Sequence, residues 1–523
     1  MLAGVLAAAV FLGVADLVAQ MFVPAASPML ALGSGVIEFA PSAVRDFVIS
    51  FFGTANRLVL FASMAVGGLL LAAGIGLIAR RRVLAGVLAY SLVGALLAAA
   101  VIRRAETSGS DIVPVLVGFA AGLAVLLLLS RAATGSLATS SAAATTTPSI
   151  EGTAASTEQE PSTHDPRSSR RVFLAVAGGA TVVSAATIAF GRSVGALGRD
   201  MGERVAQMVL PEPALRAVEI PDGASIGIDG VESFLTPNDD FFRIDTALAV
   251  PELEPEDWTL RIHGLVEQEV VIDMAELLEL PMEEHHITLA CVSNPVGGDL
   301  VGNATWLGYP VRELLARAGP LPEADMVLSQ SIDGFTASTP LEALTDDRDS
   351  LLAVGMNGEP LPRPHGYPAR LVVPGLYGYV SATKWVTELH VTRFDEETAY
   401  WTDRGWDERA PVLVSSRIEV PGSLEEVPAG EAVIAGSAWA QHDGIESVEV
   451  SIDGGDWEEV DLATEVTIDT WRQWRFDFSD AEPGRHTVTV RATTVSGETQ
   501  TDERTDPIPN AATGQHRIEF SVS

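Results

Sequence analysis

The chain holds one cysteine, Cys291, and one lysine, Lys384, in 523 residues. A single cysteine closes no internal disulfide, and it excludes a Cys-based zinc site and a Cys-x-x-Cys-His haem attachment. Basic residues are scarce altogether: 33 Lys and Arg stand against 69 Asp and Glu, a net charge of −36. Phosphate backbones need a basic face, so nucleic acid is not an expected partner. Loss of lysine with abundant carboxylates points to a high-salt organism, where an acidic surface stays hydrated; a GC-rich genome, trading Lys for Arg, produces the same bias. Under either pressure a surviving lysine is one that resisted replacement. None of the nine histidines precedes His164.

What the first third does have is apolar length. Runs beyond the roughly 18 residues that cross a bilayer fall at 1–23, 58–79, 83–102, 112–129 and 172–190. Five spans are expected, four in a transmembrane region over 1–130 and a fifth within 169–192. With no histidine in the first four, they cannot ligate a haem through paired imidazoles, and no haem is predicted. Arg80, Arg81 and Arg82 lie between spans two and three, and Arg131, Arg170 and Arg171 precede span five. Placing both loops in the cytoplasm puts everything after Phe190 outside, against the opposing Arg103 and Arg104, which Glu106 and Asp111 partly offset. The expectation is a multi-pass cell-membrane protein with an extracytoplasmic catalytic domain.

Residues 131–168 have few large apolar side chains and read as a disordered linker. It runs into "SSRRVFLAV" (168–176), whose paired arginine resembles the twin-arginine export signal of proteins that fold before crossing the membrane. Ordinary positive flanking of a membrane helix is the alternative.

Residues 215–408 mix β-branched runs with helical patterns such as "PVRELLARAG", where Leu314 and Leu315 share a face and Gly319 is the stop. The reading is an α+β domain with many loops. From 409 to 523 alternation takes over, in "SVEVSIDGG", "RHTVTVRAT" and "HRIEFSVS", which predicts a β-sandwich with "DGG" as a hairpin turn.

Cys291 ends the β-branched run "ITLACVSNPVGGD", just before a Gly-rich turn. A lone cysteine is ordinarily a small core hydrophobe. Strand ends opening into loops are where functional groups are displayed, however, and a thiolate is a soft ligand for a transition metal. A second stretch, "PRPHGYPARLVVPGLYGYVSATKW" (362–385), gathers His365, Arg370 and Lys384 among glycines and prolines. Such a basic pocket suits an anionic, phosphate-bearing cofactor; surface charges paired with carboxylates are the plainer alternative.

"TLACVSNPVGGDLVGNATWLGYPVRELLARAG", "MNGEPLPRPHGYPARLVVPGLYGYVSATKWVTELHV" and "GSAWAQHDGIESVEVSIDGGDW" resemble, in order, the blocks of the sulfite oxidase family of mononuclear molybdenum enzymes. The similarity runs from about Thr236 to the end, and it implies that the carboxy-terminal sandwich is immunoglobulin-like and of the dimerisation type. By resemblance, Cys291 is the protein ligand of a molybdenum held by molybdopterin, with Asn294 close to the metal. His365, Arg370 and Lys384 would hold the pterin and its phosphate. Arg243, Asp245 and Thr246 match an early cofactor loop, and Asp333 and Ser381 are further contacts.

Departures bear on the substrate. Sulfite-oxidising members follow the cysteine with arginines, where this chain has Pro295 and Val296. Their active-site tyrosine aligns with Phe335, which donates no hydrogen bond, and Ile244 falls where an early-loop arginine belongs. The implied function is two-electron oxygen-atom transfer on a small-molecule substrate left unassigned, with sulfite oxidation or reduction of an S-oxide such as methionine sulfoxide as alternatives. Electrons would pass to a separate protein or diffusible carrier, and a homodimer is expected. The alternative of another class is a non-catalytic receptor with an adhesive sandwich.

Overall fold

Four of the apolar runs fold as helices: α1 (Leu2–Phe22), α2 (Asn56–Arg81), α3 (Val83–Ile102) and α4 (Val113–Ala133). Stretches of each, Leu2–Ala19, Ala62–Arg81, Val83–Ile102 and Val113–Ala132, are long and apolar enough to cross a membrane. The protein is described here from a computed structural model covering residues 1–22, 32, 56–102, 112–133, 177–179, 181, 208–247 and 250–523. The expected linker, the paired Arg170 and Arg171 and most of the fifth span lie outside these residues.

The chain forms two units, Met1–Met201 and Gly202–Ser523. In the first, α1 packs against α2 and α4 around a core that includes Ala7, Phe11, Ala15, Tyr90 and Leu126. Small residues allow the close approach. A Cβ added at Gly118 would lie 2.5 Å from the Phe11 carbonyl oxygen, and one at Gly122 would lie 2.6 Å from that of Ala7. On α3, Leu84, Leu88, Leu92 and Leu96 follow one another at every fourth position and are 73, 62, 63 and 62% exposed. An apolar stripe turned away from the bundle core is compatible with membrane anchoring.

The second unit is β-rich. Its first ten strands are β1 (Thr259–Gly264), β2 (Val270–Asp273), β3 (Glu283–Ala290), β4 (Val301–Pro310), β5 (Met326–Ser331), β6 (Thr336–Pro340), β7 (Leu351–Met356), β8 (Glu359–Pro360), β9 (Arg370–Val372) and β10 (Val386–Thr392). One sheet runs β2-β1-β10-β5-β6, the other β3-β4-β7-β8 with β9 also on β7. The helix expected in "PVRELLARAG" forms over Val311–Ala318, buries Leu314 and Leu315, and ends at Gly319 with φ +70. A Gly in this left-handed conformation costs no Cβ clash, which makes it the stop.

The carboxy-terminal alternation becomes two further sheets. Ser415–Val420, Val433–Trp439, Arg472–Asp477 and Asp461–Leu462 make one; Glu426–Val427, His516–Val522, Gly484–Thr494, Ile445–Ile452 and Trp457–Glu459 make the other. Ile434 and Trp474 of the first meet Val448, Val488 and Phe520 of the second in a shared core. The "DGG" turn closes the hairpin between Ile452 and Trp457, with Asp453 and Gly454 at φ 53 and 73. Trp439 and Trp471 of this region also join the core built by residues 258–391, and Trp471 Nε1 donates to the Phe234 carbonyl at 2.9 Å.

Candidate functional site

β3 is half-buried at its start and fully buried from His286 to Ala290, paired antiparallel with β4 as far as Ala290 opposite Val301. Leaving the ladder, the chain folds into a short loop. Cys291 N donates to the Leu300 carbonyl at 2.9 Å, and Asn294 N donates to the Cys291 carbonyl at 3.0 Å. Asn294 Oδ1 accepts from Leu300 N at 3.0 Å. The loop is therefore stapled shut by its own Asn, and the thiol of Cys291 is held 9% exposed. Burial raises the thiol pKa, with Ser293 and Lys384 pulling the other way.

Arg370 and Lys384 come together across an isolated antiparallel bridge in which they are direct partners. Gly366, at φ +114, permits this approach, because a Cβ there would sit 2.9 Å from Arg370 Cβ. Trp385 beside them also takes a positive φ of 52, an uncommon conformation for a bulky residue.

Arg370, Lys384 and Trp385 line a cavity of about 120 Å³ together with His365, Cys291, Asp245, Thr246, Asp333 and Phe335. Arg370 is 5% exposed. Its guanidinium donates to the carbonyls of His365 and Leu371 at 3.0 and 3.3 Å and lies 5.0 Å over the Trp306 ring. It meets no carboxylate among the described residues. Desolvation lowers its pKa to about 9, so it is a cation at neutral pH.

Lys384 is different. It donates to Asp245 Oδ2 at 2.9 Å and to the Pro364 carbonyl at 3.1 Å. Burial drives its pKa down to about 8 against the upward pull of Asp245. For Asp245 burial works upward, but Lys384 and Arg243 overcome it and bring its pKa to about 2.

His365 Nε2 donates to the Asn238 carbonyl at 3.1 Å, and its ring meets Phe241 edge-on. Burial first, then Arg370 and Lys384, lower its pKa to about 4, so the imidazole is neutral. The sequence grouped it with the cations; in the fold it is a neutral acceptor or donor between them.

The remaining candidates divide. Thr246 and Asp245 line the cavity, and Asp333 stands exposed at its rim. Arg243 acts one step back, donating to Asp245 at 2.8 Å. Ser381 is fully buried, and its hydroxyl is spent on the carbonyls of Leu376 and Tyr377. Asn294 does not line this cavity; it lines a second one, which also includes Cys291 and Tyr377. Sequence reasoning passed over Tyr377, although it lies inside the quoted 362–385 stretch, because attention there went to charge.

A buried guanidinium without a counter-ion, a neutral imidazole and a lysine beside a buried thiol form a donor set for an anionic group next to a soft metal ligand. The residues present fit a phosphate-bearing, sulfur-ligated metal cofactor.

Comparison with known proteins agrees. Residues 247–401 match the family model described as the oxidoreductase molybdopterin binding domain. The mitochondrial sulfite oxidase of Rattus norvegicus is 32% identical over 291 residues, 47% of this chain and 53% of that protein. The sulfite oxidase of Gallus gallus is 32% identical over 297 residues, 49% of this chain and 61% of that protein. The chain thus spans between about half and three fifths of the length of these curated relatives. The sulfane dehydrogenase SoxCD from Paracoccus pantotrophus superposes with a TM-score of 0.48 at 25% identity, over 57% of this chain and 85% of that one.

Proposed function

We propose, for a chain that belongs to the sulfite oxidase family of molybdopterin-dependent oxidoreductases, that it is a membrane-anchored, extracytoplasmic enzyme acting on a small molecule at a molybdenum centre ligated by Cys291. The observation that carries this reading is Arg370, a cation 5% exposed whose partners among the described residues are carbonyls and the ring beneath it. A buried charge left without a carboxylate is costly unless something else completes it, and the phosphate of molybdopterin is that group. When bound, the cofactor supplies two-electron redox and oxygen-transfer chemistry.

In this reading Lys384 and Thr246 join Arg370 on the pterin and phosphate, His365 offers its free ring nitrogen, and Asp333 closes the rim. Asp245, with Arg243 behind it, fixes the Lys384 ammonium. Ser381 contributes by bracing the Leu376–Ser381 turn with its hydroxyl rather than by touching the cofactor. Asn294 holds the Cys291 loop in shape.

The anchoring rests on the apolar helices, and the outward orientation rests on the arginines flanking them. Folding around the cofactor before crossing the membrane would give Arg170 and Arg171 an export role. The two carboxy-terminal sheets are proposed as the immunoglobulin-like domain of a homodimer, and electrons are exchanged with a separate carrier. Sulfite, the substrate named for the relatives, is disfavoured by Phe335, Pro295 and Val296, which supply none of the charge-assisted bonds worth roughly 1.5–3 kcal/mol each. An S-oxide is the favoured alternative.

Metal and pterin analysis of the purified full chain tests the proposal. About one molybdenum per chain is expected, with the pterin retained poorly in Arg370→Met and dye-linked turnover lost in Cys291→Ser. A folded wild-type chain without molybdenum, from a host that makes the cofactor, would overturn it.

A further inference from the structure

The second cavity, of about 160 Å³, places the Cys291 loop at Asn294 and Val296 against Tyr377 and against Trp439 and Thr501 of the carboxy-terminal region. Ala290 and Cys291 are the residues common to both cavities. The two linings differ in charge. Arg370 and Lys384 face the first; the second is lined by no Lys, Arg or His, and its one carboxylate is Glu498. Arg417, behind this wall on the Gly298 carbonyl, is already paired with Glu232 and Glu419. An anion entering the cavity would meet a like charge and no unpaired cation in the lining, which is discrimination by omission.

Two of its polar groups carry donor hydrogens with no partner among the described residues. Tyr377 is 5% exposed. Its hydroxyl oxygen accepts from Leu413 N at 3.3 Å, and its proton reaches no acceptor among the described residues. A phenol keeps that proton at neutral pH. Asn294 uses its oxygen on Leu300 N, while its Nδ2 donates to no described group. Gln500, by contrast, is consumed by the scaffold: it accepts from Ser416 Oγ and Ala492 N and donates to the Gly514 carbonyl. A buried hydroxyl proton without a partner is an incomplete arrangement that a ligand oxygen would complete.

We propose that this second cavity receives an uncharged substrate through an oxygen acceptor, held by the Tyr377 hydroxyl and the Asn294 amide on the far side of Cys291 from the cation-lined cavity. The inference rests on the molybdenum reading above and narrows its substrate to neutral oxides. Tyr377 then supplies the donor that the sequence lacks at Phe335, from the start of the short Gly378–Ser381 helix and from a different wall.

The test uses the full chain in detergent, loaded with cofactor, with dimethyl sulfoxide and sulfite as the two probes. Binding is read by ligand-observed magnetic resonance, turnover by a redox dye and loading by molybdenum content. Dimethyl sulfoxide should bind in preference to sulfite. Tyr377→Phe should raise its KM and weaken its binding about tenfold, the loss of one hydrogen bond, with molybdenum content and most of kcat retained. Val296→Arg, which puts a guanidinium into the same cavity, should tighten sulfite binding by about tenfold. Normal molybdenum with sulfite preferred by the wild type, or with Tyr377→Phe and Val296→Arg both without effect on binding, overturns this inference alone. A wild-type chain without molybdenum overturns the reading beneath it as well.

Discussion

His365 sits between two cations, and its pKa of about 4 makes a measurable demand on the fold. The unfolded chain takes up this proton near the ordinary value of 6.5, so between pH 6.5 and about 4 the unfolded state holds more protons. The group's contribution to stability is complete above 6.5, falls as pH drops through that window, and is constant below it. The loss amounts to at most about 3 kcal/mol. Denaturant midpoints of the cofactor-free chain across this range should slope accordingly. In His365→Gln, which keeps a donor for the Asn238 carbonyl, the slope should flatten; an unchanged slope refutes the assignment. Cys291 and Lys384 stood out in the sequence as the single residues of their types, and Arg370 as a cation among prolines, glycines and apolar residues. Tyr377 was not, since nothing in "GLYGYVS" says that Tyr379 lines the first cavity and Tyr377 the second. Ser381 marks the same limit from the other side, because the presence of a hydroxyl does not show where it points.

Among elements, the bridge between Arg370 and Lys384 is what assembles the cation pair, and no periodicity announces an isolated bridge. The Val311–Ala318 helix and the hairpin at Asp453 were readable because their signals are local: a 3.6-residue period closed by Gly319, and a turn whose residues tolerate positive φ. The four apolar helices were readable by length, but the partner of each was not. Glycines decide that partnership. At Gly122 a side chain would collide with the Ala7 carbonyl and the Tyr90 hydroxyl, whereas Gly68 on α2 has nothing within 4 Å. Gly122→Leu should therefore lower the stability of the detergent-solubilised helices by roughly 1–3 kcal/mol, and Gly68→Leu should leave it unchanged. Equal melting of both variants would show that α1 and α4 do not meet as described.

At the scale of the whole molecule, a charge of −36 opposes compaction and self-association alike. Raising salt from 0.1 to 1 M shortens the screening length from about 10 to about 3 Å. The unfolding midpoint should therefore rise with potassium chloride, and any dimer should be favoured at the high-salt end. Light scattering and thermal melts in both conditions check this; a midpoint that falls with salt contradicts it. That four long apolar helices come first and a β-rich unit follows was visible in composition and alternation. That Trp439 and Trp471 complete a core begun by residues 258–391 was not, because burial across such distances in sequence leaves no pattern in either stretch.

Cys291 belongs to both cavity walls. In the proposed reading, recruitment of the pterin and choice of substrate are coupled through that one residue, and neither drifts in evolution without the other registering it. Selection for a new substrate would then act on the far rim, at positions such as Val296 and Thr501.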